Sequence, residues 1–422
     1  MKVHRALMAL AFSAAALVAA PAAAEEPPDA APPLALTRAR ALSMGAERGP
    51  VVKEAAAPLR ATGALRDATG ALLSYAPRAT AFAGRRTGDF GGGLEVGGGI
   101  GQELSLRHLG TRRSEVAIAV ERVAHSEVDR ARLQSAAMAV LAWIDLLEAQ
   151  ELMSMRTAAR EDAQEIARVA QSRTDRGVAT PAEAALATSE VGVAELGERN
   201  AEGGLFEARA AFKFAVGLPP PSAVAADGEL HRFDAAPTPS AAPSPAEHPL
   251  EAAARSRVEL ARADTKLAHA VATPTLGLGV NLAREATGEQ YVTGVISLPL
   301  PVLDPARFDA ARYHVHVAAA EGQVDRIRAE IERDVSIAKH EREHTREVHD
   351  TLATRVLVPL RETVRLVRAA YQAGTRDVTS FLILRQRLVA TEELLARASA
   401  DVLRADVRYE LARGTLLTGW RP

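Results

Sequence analysis

Leu94-Glu95-Val96-Gly97-Gly98-Gly99-Ile100-Gly101-Gln102-Glu103-Leu104-Ser105-Leu106 is the stretch whose reading decides the fold. Leu94, Val96, Ile100, Leu104 and Leu106 alternate with Glu95, Gly97, Gly99, Gly101, Glu103 and Ser105. A period of two is the mark of a β-strand, here with one apolar face and one small or polar face. The pattern returns where Leu276, Leu278, Val280 and Leu282 alternate with Gly277, Gly279 and Asn281. It returns again where Val292, Gly294, Ile296, Leu298 and Leu300 alternate with Tyr291, Thr293, Val295 and Ser297. Tyr75 to Arg86 supplies a fourth, weaker strand. Alternation alone also fits a half-buried sheet in a soluble domain. Each strand, however, is about ten residues long, enough to cross a bilayer when tilted. One face is aliphatic, as lipid requires, and the other is small or polar, as water requires. Four strands cannot close a barrel, and an open edge is not tolerated in lipid. Strands of this kind in a membrane therefore require several copies of the chain to share one barrel. Two copies would give eight strands and three would give twelve.

Outward from the strands the chain is helical. From Thr111 to Arg176 there is neither proline nor glycine, about 65 residues or about 100 Å of helix. Pro181 to Val216 reads as the returning helix, with proline suited to its first turn. A second set follows the same order, with a helix from His248 to Val271, strands, a long helix from about Pro305 to Ala373 and a last helix from Asp377 to Leu417. Before the first strands, Leu36 to Leu73 reads as a helix interrupted near Gly49-Pro50 and Pro58. Narrow apolar seams run along the long helices: Leu133, Ala137, Val140, Ile144 and Leu147; Ile327, Ile331, Val335 and Ala338; and Leu360, Val364, Val367 and Tyr371. Their three- and four-residue steps suit antiparallel helix pairing. The junctions Arg176-Gly177-Val178-Ala179-Thr180-Pro181 and Ala373-Gly374-Thr375-Arg376-Asp377-Val378 are the expected hairpin tips. They stand about 200 residues apart, so the whole unit is duplicated rather than a short repeat iterated.

The expected organisation is a signal peptide over 1–24, a tail over 25–35, a first repeat over 36–217, a Pro-rich linker over 218–247, a second repeat over 248–417 and a tail over 418–422. The signal rests on Lys2, His4 and Arg5 before an apolar run from Leu7 to Ala20, then Ala22-Ala23-Ala24 ahead of Glu25. Export without any cysteine means no disulfide, no thiolate metal site and no lipid-modified cysteine. Beyond the signal no apolar run reaches eighteen residues, so entry into a membrane would have to be as strands. A net charge of −2 leaves no electrostatic footprint for nucleic acid. Only 4% of residues are aromatic, which suits small-residue helix packing better than one compact core.

At this point the chain resembles the TolC family of outer-membrane efflux channels, over essentially its whole expected mature length. The matching pieces are Tyr371-Gln372-Ala373-Gly374-Thr375-Arg376, Arg176-Gly177-Val178, the strand exit Ser297-Leu298-Pro299-Leu300-Pro301 with Arg307 to Arg312 opening the next helix, and above all the duplicated order of elements. The resemblance implies a mainly α fold with a small membrane β part. Three copies would form a twelve-stranded β-barrel in the outer membrane, continuous with an α-barrel of long helical hairpins. It implies a non-enzymatic exit duct without cofactors. Its partners would be a periplasmic adaptor, an inner-membrane pump and outer-membrane lipid. By the same resemblance Gly177, Val178, Gly374, Thr375 and Arg376 would meet the adaptor. Relatives often carry Asp some six residues beyond each tip glycine, where this chain has Glu183 and Ser380. Many also narrow the entrance with acidic side chains where this chain has Arg365 and Arg368. If these two point inward, three chains would set a cationic ring that favours anions. On a solvated outer face they would be ordinary coiled-coil arginines. The cargo stays open.

Two other readings compete. A soluble periplasmic adaptor would also carry a helical hairpin, but typically one, among several β domains. A zinc peptidase is suggested by His340-Glu341-Arg342-Glu343-His344, which matches H-E-x-x-H. His340 and His344 are weak metal candidates only. A catalytic zinc also needs a third ligand and a dry cavity, and this segment is almost wholly charged.

Overall fold

A computed structural model of the chain describes residues 33–69, 75–87, 92–231, 248–285, 287–299, 306–418 and 420. The expected signal peptide, most of the Pro-rich linker, Leu300, Pro301 and the last two residues lie outside the described residues. The elements run β1 (Leu34–Leu36), α1 (Arg38–Arg48), α2 (Pro50–Ala68), β2 (Arg78–Arg86), β3 (Gly93–Ser105), α3 (Leu109–Asp175), α4 (Pro181–Ala215), β4 (Val224–Ala226), α5 (Pro249–Val271), β5 (Thr275–Arg284), β6 (Gln290–Ser297), α6 (Ala306–Asp350), a π-helical segment (Thr351–Leu357), α7 (Val358–Gln372) and α8 (Val378–Ala412).

The duplication is exact in spacing from β2 onward. Arg78 and Thr275, Gly93 and Gln290, Leu109 and Ala306, and Pro181 and Val378 open equivalent elements. Gly177 and Gly374, and Gly217 and Gly414, hold equivalent positive-φ positions. The interval is the same in every pair, about 200 positions.

β2, β3, β5 and β6 form one antiparallel sheet in that order. Cross-strand register puts Ile100 beside Val280 and Leu104 beside Leu276 on one face. The other face brings together Gly99 with Asn281, Thr80 with Gly99, and Asn281 with Thr293. The aliphatic face is open, with Ile100 at 68% and Ile296 at 76% exposure. Both edge strands, β2 and β6, are exposed along their whole length.

The long helices hang from this sheet. α3 is the hub, packing on α1, α2, α4, α5 and α8, whereas α6 packs chiefly on α5 and α8 and continues into the π segment. Leu133, Ala137, Val140, Ile144 and Leu147 are all buried, so the seam read along α3 is the core. On the second hairpin Ile331, Ala338, Val364 and Tyr371 are buried.

Three expectations need correcting. The interrupted helix expected from Leu36 to Leu73 does break at Gly49-Pro50, into α1 and α2, but Leu36 belongs to a short strand, Pro58 lies inside α2 without ending it, and 70–73 lie outside the described residues. Pro58 and Glu54 are exposed, so the Glu54 carbonyl that loses its partner to the proline faces water. The start of the Pro-rich segment is structured, because β4 pairs in parallel with β1. Trp143 Nε1 donates to the Leu36 carbonyl at 2.7 Å, and Gln150 brackets Ala226 through both its side-chain atoms, fixing this small sheet on α3. Finally, the long helix expected from Pro305 to Ala373 is interrupted by the π segment, just ahead of Pro359. An interior proline clashes with the carbonyl four residues back, and a wider turn relieves that clash.

Candidate functional site: the hairpin tips and the sheet interior

Both tips end in the same way. At the first, the Gly177 amide donates to the Thr174 carbonyl and the Val178 amide to the Arg173 carbonyl, each at 2.9 Å. At the second, the Gly374 amide donates to Tyr371 and the Thr375 amide to Ala370, each at 3.0 Å. These are Schellman motifs, and they need a left-handed residue at the position each glycine fills, with φ of 74° and 76°. The next helices open on side-chain caps. Thr180 Oγ1 accepts from the Glu183 amide at 3.3 Å and Asp377 Oδ1 from the Ser380 amide at 3.4 Å. Glu183 and Ser380, which depart from the family pattern, are therefore the third helical residues of α4 and α8. The Thr180 hydroxyl also reaches the Glu183 carboxylate at 3.4 Å. Gly177, Val178, Gly374, Thr375 and Arg376 are all exposed.

Behind the glycines the two hairpins are packed together by Ile166, Ala170, Ala187, Val364, Tyr371, Val378, Phe381 and Leu382. Sequence reasoning placed Tyr371 on a seam but overlooked its partner. Arg173 donates to the Tyr371 carbonyl at 2.7 Å, and its guanidinium lies 4.7 Å from the centre of the Tyr371 ring. Tyr371 stacks on Phe381 at 5.6 Å. Burial pushes the Tyr371 phenol above its ordinary pKa, and the Glu183 charge adds to this against the opposing Arg173. The signal was present in sequence only as an Arg one turn before the first tip and a Tyr one turn before the second.

Arg365 and Arg368 lie on the exposed side of α7. Arg365 forks onto Glu362, with contacts of 2.6 and 2.8 Å. This hydrogen bond raises the Arg365 pKa and lowers that of Glu362. Arg368 has no ion-pair partner among the described residues. The charge of this face is thus one net cation per chain, not two. The Glu362–Arg365 spacing of three was legible on a helix.

His340 and His344 stack with ring centres 6.2 Å apart and are exposed on α6. Glu341, the base of the peptidase reading, pairs instead with Arg408 of α8. No group of three or more His, Asp or Glu that could hold a metal occurs among the described residues. Elsewhere on the second unit, Glu251 is fully buried and takes Arg255 and Arg328 at 2.6 and 2.9 Å. Burial pushes its carboxyl up, but the two guanidinium groups more than offset this and hold it below the ordinary range.

The polar face of the sheet is lined by small residues. Arg78 faces Glu103 at 3.6 Å, and Arg86 faces both Glu95 and Glu285 at 3.5 and 3.3 Å. No described helix is long and apolar enough to cross a membrane.

No family model matches the sequence, and no curated protein matches it. Solved structures do. The CmeC outer-membrane channel of Campylobacter jejuni aligns with a TM-score of 0.72 at 14% identity, over 90% of this chain and 85% of that one. The MtrE outer-membrane channel of Neisseria gonorrhoeae, in its open state, aligns at 0.71 and 18% identity, over 90% and 89%. The outer-membrane protein VceC of Vibrio cholerae aligns at 0.70 and 14% identity, over 89% and 96%. The chain therefore has the fold of outer-membrane channels, long helical hairpins carrying a small antiparallel sheet.

Proposed function

We propose that three copies of this chain form an outer-membrane duct, the passive exit of a tripartite efflux or secretion system. One observation carries the reading. The four-stranded sheet is aliphatic on one face, small and polar on the other, and open at both edges. In lipid those edges must be paired. Because the strands alternate and are even in number, a rotation that sets β2 of one copy beside β6 of the next leaves that pair antiparallel. The ring closes without breaking the alternation. Eight strands would leave an interior filled by side chains, whereas twelve leave a water path. The helical edges tell the same story, since α4 exposes Val193, Leu196, Phe206 and Phe214, and α6 with α7 exposes Val315, Ile337, Val358 and Leu366. These faces await neighbouring copies.

The duct performs no chemistry. Energy would come from an inner-membrane pump, and a periplasmic adaptor would engage the tips at Gly177, Val178, Gly374, Thr375 and Arg376. Opening would part the second tip from the first, which requires the Arg173–Tyr371 contact to yield. Arg365, paired with Glu362, and Arg368, without an ion-pair partner among the described residues, would give the entrance a modest preference for anions. The expected location is the outer membrane without lipidation.

The test is reconstitution of the detergent-purified protein into planar bilayers. Stepwise ion conductance is expected, and Arg173→Ala should raise the open fraction. Quantitative release of the protein from cells without detergent would overturn the reading and favour the soluble adaptor.

A further inference from the structure

The polar face of the sheet carries a second feature. Register places Phe82 beside Gly97, Gly97 beside Ala283 and Ala283 beside Tyr291, so these four residues share one row and one face. Both edge strands contribute an aromatic ring and both central strands a small residue. The smallness is required. A Cβ at Gly97 would lie 2.5 Å from the Phe82 ring and 2.9 Å from the Ala283 methyl group. Ala283 is 5% exposed, while Phe82 and Tyr291 remain 51% and 46% exposed. Two large aromatic rings thus stand on a face otherwise made of small, polar and charged residues and Val295. One position further along that face, Glu95 and Glu285 share the single guanidinium of Arg86, leaving one carboxylate in excess.

We propose that Phe82 and Tyr291 form a cargo-contacting site inside the barrel, selective for planar aromatic cations. The inference rests on the duct reading, which makes this face the lumen. Threefold repetition then sets three Phe82 rings at one height and three Tyr291 rings at another, next to a rim of excess negative charge. A flat delocalised cation can stack on a ring, gain attraction from its π face, and be drawn by the nearby carboxylates. A small hydrated ion passes without either contact. The Phe82 ring lies across Gly97 and is still 51% exposed, so its outward side is what a flat ligand would stack on.

The experiment is voltage-clamped conductance of the whole reconstituted protein, with ethidium as the planar cation, tetraethylammonium as a non-planar cation of equal charge, and potassium chloride as carrier. Ethidium should block at lower concentration than tetraethylammonium. Phe82→Leu with Tyr291→Leu should weaken the ethidium block about tenfold and leave the potassium conductance within about twofold. Phe82→Trp, which keeps a ring, should retain the block and shows that the site rather than packing is read. Equal block of wild type and the double leucine variant, with conductance intact, would overturn this inference and leave the duct standing. Equal block by both cations would also overturn it, because charge alone would then be the determinant. Absence of any conductance would remove the duct reading and this inference with it.

Discussion

The two hairpins occupy equivalent places in a duplicated chain and end in equivalent tips, yet their long helices live in different surroundings. α3 runs unbroken from Leu109 to Asp175 and is buried against five other helices. Its counterpart is divided into α6, a π segment and α7, and presents Val315, Ile337, Val358 and Leu366 to the outside. Position by position the contrast is plain. Trp143 and Leu147, buried in the core, correspond to His340 and His344, exposed on α6. Asp162, which pairs with Arg385, corresponds to Pro359. The first helix is a hub because β1, α1 and β4 cover it, and the second unit has no equivalent of that cover among the described residues. The lesson is that a repeated backbone plan does not repeat burial. The edge helix keeps the plan while its outward residues lack a packing partner within the chain, and that is where a proline and a widened turn are accommodated.

The largest expected difference between the hairpins is in core truncation. Ile144→Ala should destabilise by about 2–5 kcal/mol, whereas Glu341→Ala at the equivalent position of α6 should cost under about 1 kcal/mol. Thermal unfolding of the two variants checks this, and equal effects would erase the hub–edge distinction. A pH effect should come next and should be confined to the second unit. His248 caps α5, its Nδ1 accepting from the Leu250 amide at 3.2 Å. Burial lowers its pKa, against raising contributions from the carbonyls at the end of α8 and from Glu251. The unfolded chain therefore takes up a proton that the folded chain resists. This contribution to stability is fully present above the ordinary value of 6.5, and is lost as pH falls below it and through the lower folded value. Melting temperature should drop between pH 7.5 and 5, and His248→Gln should flatten that part of the profile.

Smaller effects concern the tips. Arg173→Ala removes one hydrogen bond and one cation–π contact between the hairpins, so proteolysis near Gly374 should accelerate while global stability changes by about 1 kcal/mol. Smallest is the pair Gly177→Ala and Gly374→Ala. Each forces a Cβ into a left-handed conformation at about 1 kcal/mol. Here the halves should agree, because a Cβ at either glycine meets nothing within 4 Å.

Much of this was legible in sequence because it depends on periodicity. Alternation located β3, β5 and β6, and three- and four-residue steps located the seams that are buried. Glycine junctions between long helical runs, repeated about 200 residues apart, located the tips. What was not legible depends on contacts far apart in the chain. β1 and β4 are three residues each, too short for any period to show, and exist because Trp143 and Gln150 hold them. Pro58 and Pro359 look alike in sequence, but one is absorbed by an exposed carbonyl and the other sits behind a π segment. Arg173 reads as a solvated arginine until Tyr371 is brought beside it. The Phe82–Tyr291 row needs the register of all four strands, which alternation within one strand does not supply.

The central claim is that the open sheet is one third of a shared barrel. Its most direct test is the mass of the protein extracted from isolated outer membranes in mild detergent, measured by light scattering with the detergent contribution subtracted. A protein mass three times that of the chain is the predicted result. A monomer or dimer recovered from the soluble fraction without detergent would contradict the account and make the sheet an ordinary periplasmic one.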